Sequence, residues 1–287
     1  MNNKNIVKNR LLISIVIMSL VVLIVGICIP NSYVYAIDNE PFYGVQYENA
    51  NQNNSSEIIN YNSKEVESNM IEGGCPLLVN MDAALQNACA PVAGSNIITY
   101  YDRYYENLIE NVNPGHIVNS KYKYYPMIVN EQKLQVLIKN LYELMGTNSI
   151  KPGTRQSDFK NGLIKYVNSK QRNITFTSLM INDICDFEKI KESINNNKPI
   201  ILYLYDYHLI LQTTIENADK FIVDNKIGNH IMVAYGYKVI KYYDVNGNNF
   251  RTEVLLNISS GMDSQLDSLY RVGGFGTLKD AEAVSIE

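Results

Sequence analysis

A chain of 287 residues, 46% hydrophobic and 19% charged, has the composition of a folded protein with one sizeable core or two smaller ones, which excludes disorder throughout. Its formal net charge of -4 leaves no basic excess to meet a phosphate backbone, so nucleic acid is not expected as a partner. Tryptophan is absent and tyrosine occurs 22 times, a bias from which no function follows.

Lys4, Lys8 and Arg10 precede an uncharged apolar run from Leu11 to Ile29, which Pro30, Asn31 and Ser32 interrupt. Val34 and Ala36 then supply the small residues that a signal peptidase requires. Residues 1–36 are therefore expected to be an export signal cleaved after Ala36, making the protein secreted or cell-surface. Left uncleaved, the run is long enough to span a bilayer, and this is the one membrane contact expected. Cys28 follows Ile27, which is not the small residue that lipidation needs. Residues 37–72 are polar and rich in Asn and Ser and read as a linker or a removable pro-segment. Residues 73–287 read as the folded domain, expected to act as a monomer.

Past the signal three cysteines remain, Cys75, Cys89 and Cys185, so at least one exported thiol is unpaired in a monomer. Cys75 and Cys185 fit either buried reduced side chains or a pair. From residue 73 to about 197 the apolar spacing is helical. Val92, Ile97, Tyr100, Tyr101 and Tyr104 share one side of a helix that Pro91 can open. Leu134, Leu137, Ile138, Leu141, Leu144 and Met145 form the clearest 3.6-residue stripe, stopped by Gly146. Phe159, Leu163 and Val167 follow behind a Ser157 cap, and Phe187, Ile190 and Ile194 mark a short helix. After Pro199 the period changes to that of strands: "IILYLY", "HLILQTTI", "KFIVDN", "HIMVAYGYKVI" and "FRTEVLLNIS" are separated by turn-forming clusters. The expected fold is α+β, with a helical first half, an antiparallel sheet in the second half, and a site in the cleft between them.

Cys89, in "LQNACAPVAG", stands at the start of the Tyr-rich helix. A thiol there meets the positive end of the helix dipole and unpaired amides, which favour the thiolate and can receive an oxyanion. A nucleophilic thiol needs a proton acceptor, and the histidines are His116, His208 and His230. His116 lies in a loop of the helical half. His208 begins a strand and is a rival. His230 follows a Gly-Asn turn at the start of a strand, where a side chain can lean into a cleft, and is the favoured base. The residue that orients the imidazole is sought downstream: Asn257 at the end of "TEVLLN", with Asp244 and Asp263 as alternatives. Gln86, three residues before Cys89, is a candidate oxyanion donor. No Cys or His pair has zinc-ligand spacing, no Gly-rich loop precedes a helix and no Ser lies in an elbow motif, so neither a metal nor another cofactor is expected.

The segments "QNACAPVAGSNIITYYD", "IKESINNNKPIILYLY" and "GNHIMVAYGY" resemble papain-like cysteine peptidases, closest to the bacteriocin-processing (double-glycine) group, over residues 73 to 287. Cys-Ala-Pro stands where that group has Cys-Gly-Pro, and Asn229 where it has Gly before the histidine. The resemblance implies a papain-like fold with Cys89 on a central helix as nucleophile, His230 as acid and base, and Asn257 or a neighbour as orienter. It further implies hydrolysis of peptide amides through an acyl-enzyme, with a peptide or protein as substrate. "LLNISSGMDS" lacks the usual pattern around the third residue, and Gln86 lies closer to Cys89 than the family's oxyanion glutamine does. Transamidation or amidase chemistry on the same pair, and an inactive papain-like binding module, are the alternatives.

Overall fold

The computed structural model describes residues 40–44, 54–125, 131–262 and 267–287. The expected export signal, residues 1–36, and the alternative orienter Asp263 lie outside them. All secondary structure described here belongs to the compact unit Pro41–Glu287. No helix among the described residues is long and apolar enough to cross a membrane.

The expectation of a helical first half is corrected: strand makes up 45% and helix 22% of the structure, organised on one eight-stranded antiparallel sheet. The fold is therefore not the papain-like α+β arrangement. Two strands that the sequence hides add to the sheet. β1 (Phe42–Tyr43) is followed by β2 (Asn54–Asn60) and β3 (Ser63–Met70), within the stretch expected to be a polar linker or pro-segment. β2 and β3 pair with the long strand β11 (Ala218–Tyr243) and leave most of their side chains in solvent. They are held by ladder hydrogen bonds rather than by an apolar face, so they carry no period-2 signal.

Between β3 and the end of the helical region come α1 (Cys89–Asp102), the hairpin β4 (Gly115–Val118) and β5 (Lys121–Tyr124), α2 (Gln132–Leu144), β6 (Thr154–Arg155) and α3 (Gln156–Ser169). β7 (Ile174–Ser178), the two-residue strands β8 (Met180–Ile181) and β9 (Ile184–Cys185), and α4 (Phe187–Asn195) follow. The four helices coincide with the four apolar stripes. Ser157 lies inside α3 instead of capping it, the cap position being Arg155. Asp186 caps α4, its carboxylate accepting from the N–H groups of Glu188 and Lys189.

The apolar runs that read as separate strands merge into two long ones. β10 (Ile200–Ile215) and β11 form one extended hairpin whose register shifts between Tyr205 and Tyr207. At that bulge Asp206 adopts a left-handed φ of 42° and its carboxylate accepts from the Gly228 N–H at 2.9 Å. Asp206 of β10 there stands against Ile227 and Gly228 of β11, and this irregularity lies immediately before Asn229 and His230. β12 (Asn249–Ser259), β13 (Asp267–Arg271) and β14 (Thr277–Ile286) complete the sheet.

The pairings β10–β11–β12–β13 close back on β10 through Ile210 and Leu269, so one end of the sheet is a small barrel. Its interior is a separate core of Ile59, Ile210, Phe221, Val223, Ile240, Tyr242, Leu255 and Leu269. The larger core lies where α1 packs on β11 and against α2. Every residue of α1 after Cys89 is buried, and burying its Ile97 and Ile98 contributes about 2–3 kcal/mol each. Gly94 permits the close approach, since a Cβ there would meet Leu163 at 3.0 Å and Met145 at 3.1 Å.

Candidate active site

Cys89 is the first residue of α1, after an N-cap alanine, Ala88, that provides no side-chain cap. Pro91 carries no N–H and the Val92 N–H is bonded to the Ala88 carbonyl, which leaves the amides of Cys89 and Ala90 as the uncapped donors of the first turn. The backbone N–H groups of Ile231, Ala90 and Cys89 lie close enough to the sulfur to favour its thiolate. Burial nevertheless dominates and pushes the Cys89 thiol up to about 12, against these three donors, which favour the thiolate.

His230 lines the same cavity as Cys89, a cleft of about 490 Å³. Its ring lies flat on Tyr207, with centroids 4.7 Å apart and planes at 15°. Nε2 is 2.8 Å from the Ser260 carbonyl oxygen. A carbonyl only accepts, so the proton of the neutral ring sits on Nε2 and Nδ1 carries the basic lone pair. Burial pushes the imidazole down to about 4, the Ser260 carbonyl opposing the shift. The thiol and the imidazole that line this cleft are thus both neutral at rest.

The other expected residues divide clearly. Gln86 lines the cavity and is exposed at its mouth. Asn257 does not line it: it sits in β12 opposite Gly236 and Leu269, packed so closely on Gly236 that a Cβ there would lie 2.9 Å from its Oδ1. The partner described for the His230 ring is the main-chain carbonyl of Ser260, three residues further on. Asp244 closes an exposed turn, accepting from the N–H groups of Asn246 and Asn248. His208 is buried with both nitrogens engaged, and His116 is exposed and stacked on Tyr125. Cys75 and Cys185 are free thiols, and burial raises the pKa of each.

The remaining walls come from residues that the sequence did not assign to the site. Val79, Leu85, Val92 and Met262 supply apolar surface, and Asn80 and Asn87 supply amides. Both hydrogens of the Asn80 amide are used internally, on the carbonyls of Asp82 and Leu85, so Asn80 shapes the loop before Cys89. Gly44 closes one side with a φ of +104°, and a Cβ at that position would lie 2.6 Å from the Asn87 carbonyl oxygen. Among the described residues no Asp, Glu, Lys or Arg lines the cleft. Among the described residues no cluster of His, Cys, Asp and Glu could hold a metal ion. Comparison of the chain with protein families, with curated proteins and with solved structures finds no match.

Proposed function

We propose that the protein is an exported cysteine hydrolase that cleaves amide bonds of uncharged peptide segments, with Cys89 as nucleophile and His230 as general base and acid. The observation that carries this reading is the shared cavity: a thiol on uncapped helix amides and a buried imidazole with its Nε2 proton tied to a carbonyl face one cleft. The first 36 residues support export.

In the proposed reaction Cys89 Sγ attacks the scissile carbonyl carbon as its proton passes to His230 Nδ1, and the carbonyl π pair moves onto oxygen. The amides of Cys89 and Ala90 receive that oxyanion, with Gln86 at the mouth as a further donor, and each well-placed donor is worth about 3 kcal/mol of barrier. The C–N bond then breaks, His230 Nδ1–H protonates the departing amine, and a thioester remains on Cys89. Water, losing a proton to Nδ1, attacks the thioester; a carboxylic acid leaves and the thiol is restored. Because the resting pair is neutral, proton removal accompanies attack instead of preceding it. The apolar wall of Val79, Leu85, Val92 and Met262, with no charged side chain among the described lining residues, favours a neutral, aliphatic acyl portion.

The test is cleavage of a mixed peptide library by the purified protein, read by mass spectrometry. Neutral aliphatic peptides should be cut, and Cys89→Ala should abolish the cutting. Cleavage that persists in Cys89→Ala, or a Cys89 inert to every peptide and acylating probe, would defeat the proposal.

A further inference from the structure

Asn148 lies outside the cavity lining, in the loop between α2 and β6, with a left-handed φ of 62°. Its side chain is fully used. Nδ2 donates to the Gln86 main-chain carbonyl at 3.0 Å and to Tyr142 Oη at 2.7 Å. Oδ1 accepts from Asn87 Nδ2 at 2.9 Å and from the Gly153 N–H at 2.6 Å, while the Asn148 N–H donates to the Gly153 carbonyl at 2.9 Å.

These bonds link the segments that carry the two members of the reacting pair. Gln86 and Asn87 are the third and second residues before Cys89, so one arm fixes the loop that delivers the nucleophile. Gly153 leads directly into β6, which pairs with β1. From β1 the chain continues to Gly44, whose N–H donates to the Asn229 carbonyl at 2.8 Å, and Asn229 Nδ2 returns a bond to the Phe42 carbonyl at 3.0 Å. Asn229 immediately precedes His230, so the second arm ends at the base. Tyr43, wholly buried between Tyr203 and Tyr205, anchors this arm in the main core.

We propose that Asn148 is a positioning residue that sets the placement of Cys89 relative to His230 by clamping the nucleophile loop to the β6–β1 strap. The proposal rests on the reading of Cys89 and His230 as the reacting pair. Asparagine suits the post because it tolerates the left-handed backbone and offers both donors and acceptors at one point. Aspartate keeps the backbone and the acceptors but loses the donor to Gln86, and alanine loses every side-chain bond.

The experiment follows iodoacetamide alkylation of Cys89 at pH 8 in the full chain by peptide mass spectrometry, with thermal melts alongside. The variants are His230→Ala, Asn148→Ala, Asn148→Asp, and each Asn148 variant combined with His230→Ala. His230→Ala is expected to slow alkylation about tenfold or more, Asn148→Ala to slow it about fivefold or more, and Asn148→Asp to fall between Asn148→Ala and wild type. The combined variants should be no slower than His230→Ala alone, because both changes disable the same unit. A merely structural role would lower the melting temperature without this dependence on His230. Should Asn148→Ala fail to fold, Asn148→Asp carries the same comparison. A folded Asn148 variant that alkylates at the wild-type rate, or effects that multiply in the combined variant, would overturn the proposal while leaving the pair intact. If His230→Ala leaves the rate unchanged, the reading of the pair falls, and this proposal with it.

Discussion

Neighbouring residues of β10 lead to two different histidines. Tyr207 stacks on His230 at the cavity, and His208 stacks on Tyr270 at the barrel end, with nearly equal geometry: centroids 4.7 and 4.8 Å apart and planes at 15° in both. Both imidazoles are buried, and burial lowers the pKa of each. Their nitrogens differ. His208 Nδ1 lies 2.7 Å from the Phe275 carbonyl and Nε2 accepts from the Arg271 N–H at 2.9 Å, so the ring ties the β13–β14 turn to β10 and has no capacity left. His230 commits Nε2 alone among the described residues and faces a cleft beside a thiol. Burial, stacking and a depressed pKa therefore do not mark a base; a free nitrogen at a cavity does.

Exchanging the two roles is the strongest way to break this comparison. His230→Ala should reduce Cys89-dependent turnover about a thousandfold, with a modest effect on stability. His208→Ala should instead cost about 2–4 kcal/mol of stability, since the Arg271 N–H and Phe275 carbonyl lose their partner, and leave Cys89 reactivity per folded molecule unchanged. Denaturant melts paired with activity assays separate the two.

Acid sharpens the same contrast. The His230 pKa is about 4 in the fold against an ordinary 6.5, so the unfolded chain takes up the proton first as pH falls. The stability held above pH 6.5 is lost progressively toward pH 4, by about 3 kcal/mol relative to His230→Phe, whose difference curve cancels every other titrating group. Equal acid sensitivity in the two proteins would contradict the burial of a neutral ring.

Smaller effects test the walls of the site. Gly44→Ala forces a Cβ toward the Asn87 carbonyl at an unfavourable φ and should cost about 1–3 kcal/mol, with slower Cys89 alkylation. Asn257→Ala should change turnover less than about threefold, because Asn257 is packed on Gly236 and the Ser260 carbonyl holds the imidazole. A larger loss of turnover at unchanged stability would restore Asn257 as an orienter.

α2, α3 and α4 were legible because their burial is one-sided: Leu134, Leu137, Ile138 and Leu141 are the buried residues of α2 and keep the 3.6-residue period. Cys89 at the start of a helix opened by Pro91, and His230 after a Gly-Asn pair, were legible through local chemistry. β2 and β3 were not, since edge strands with solvated side chains are specified by the partner strand β11, which lies far along the chain. The fusion of four apolar runs into the two long strands β10 and β11 was hidden for a related reason: a bulge at Asp206 and Gly228 reads in sequence as a turn. The partner of the His230 ring left no trace in the sequence because it is the Ser260 carbonyl, and a main-chain atom leaves no residue signature. Asn148 gave no signal either, being one of many asparagines until its bonds to Gln86, Asn87 and Gly153 are seen.

The most direct test of the central claim, that Cys89 and His230 form a neutral, base-assisted pair, is the pH profile of Cys89 alkylation in wild type and His230→Ala, with Cys185 as internal control. Cys89 should react slowly below pH 6, at a rate that climbs from neutral into alkaline pH as expected for a thiol raised from 9.0 to about 12, with a clear deficit in His230→Ala near pH 7–8. A fast plateau below pH 6 would reveal a preformed thiolate and imidazolium, and an unchanged profile in His230→Ala would show that the two side chains share a cavity without sharing a proton.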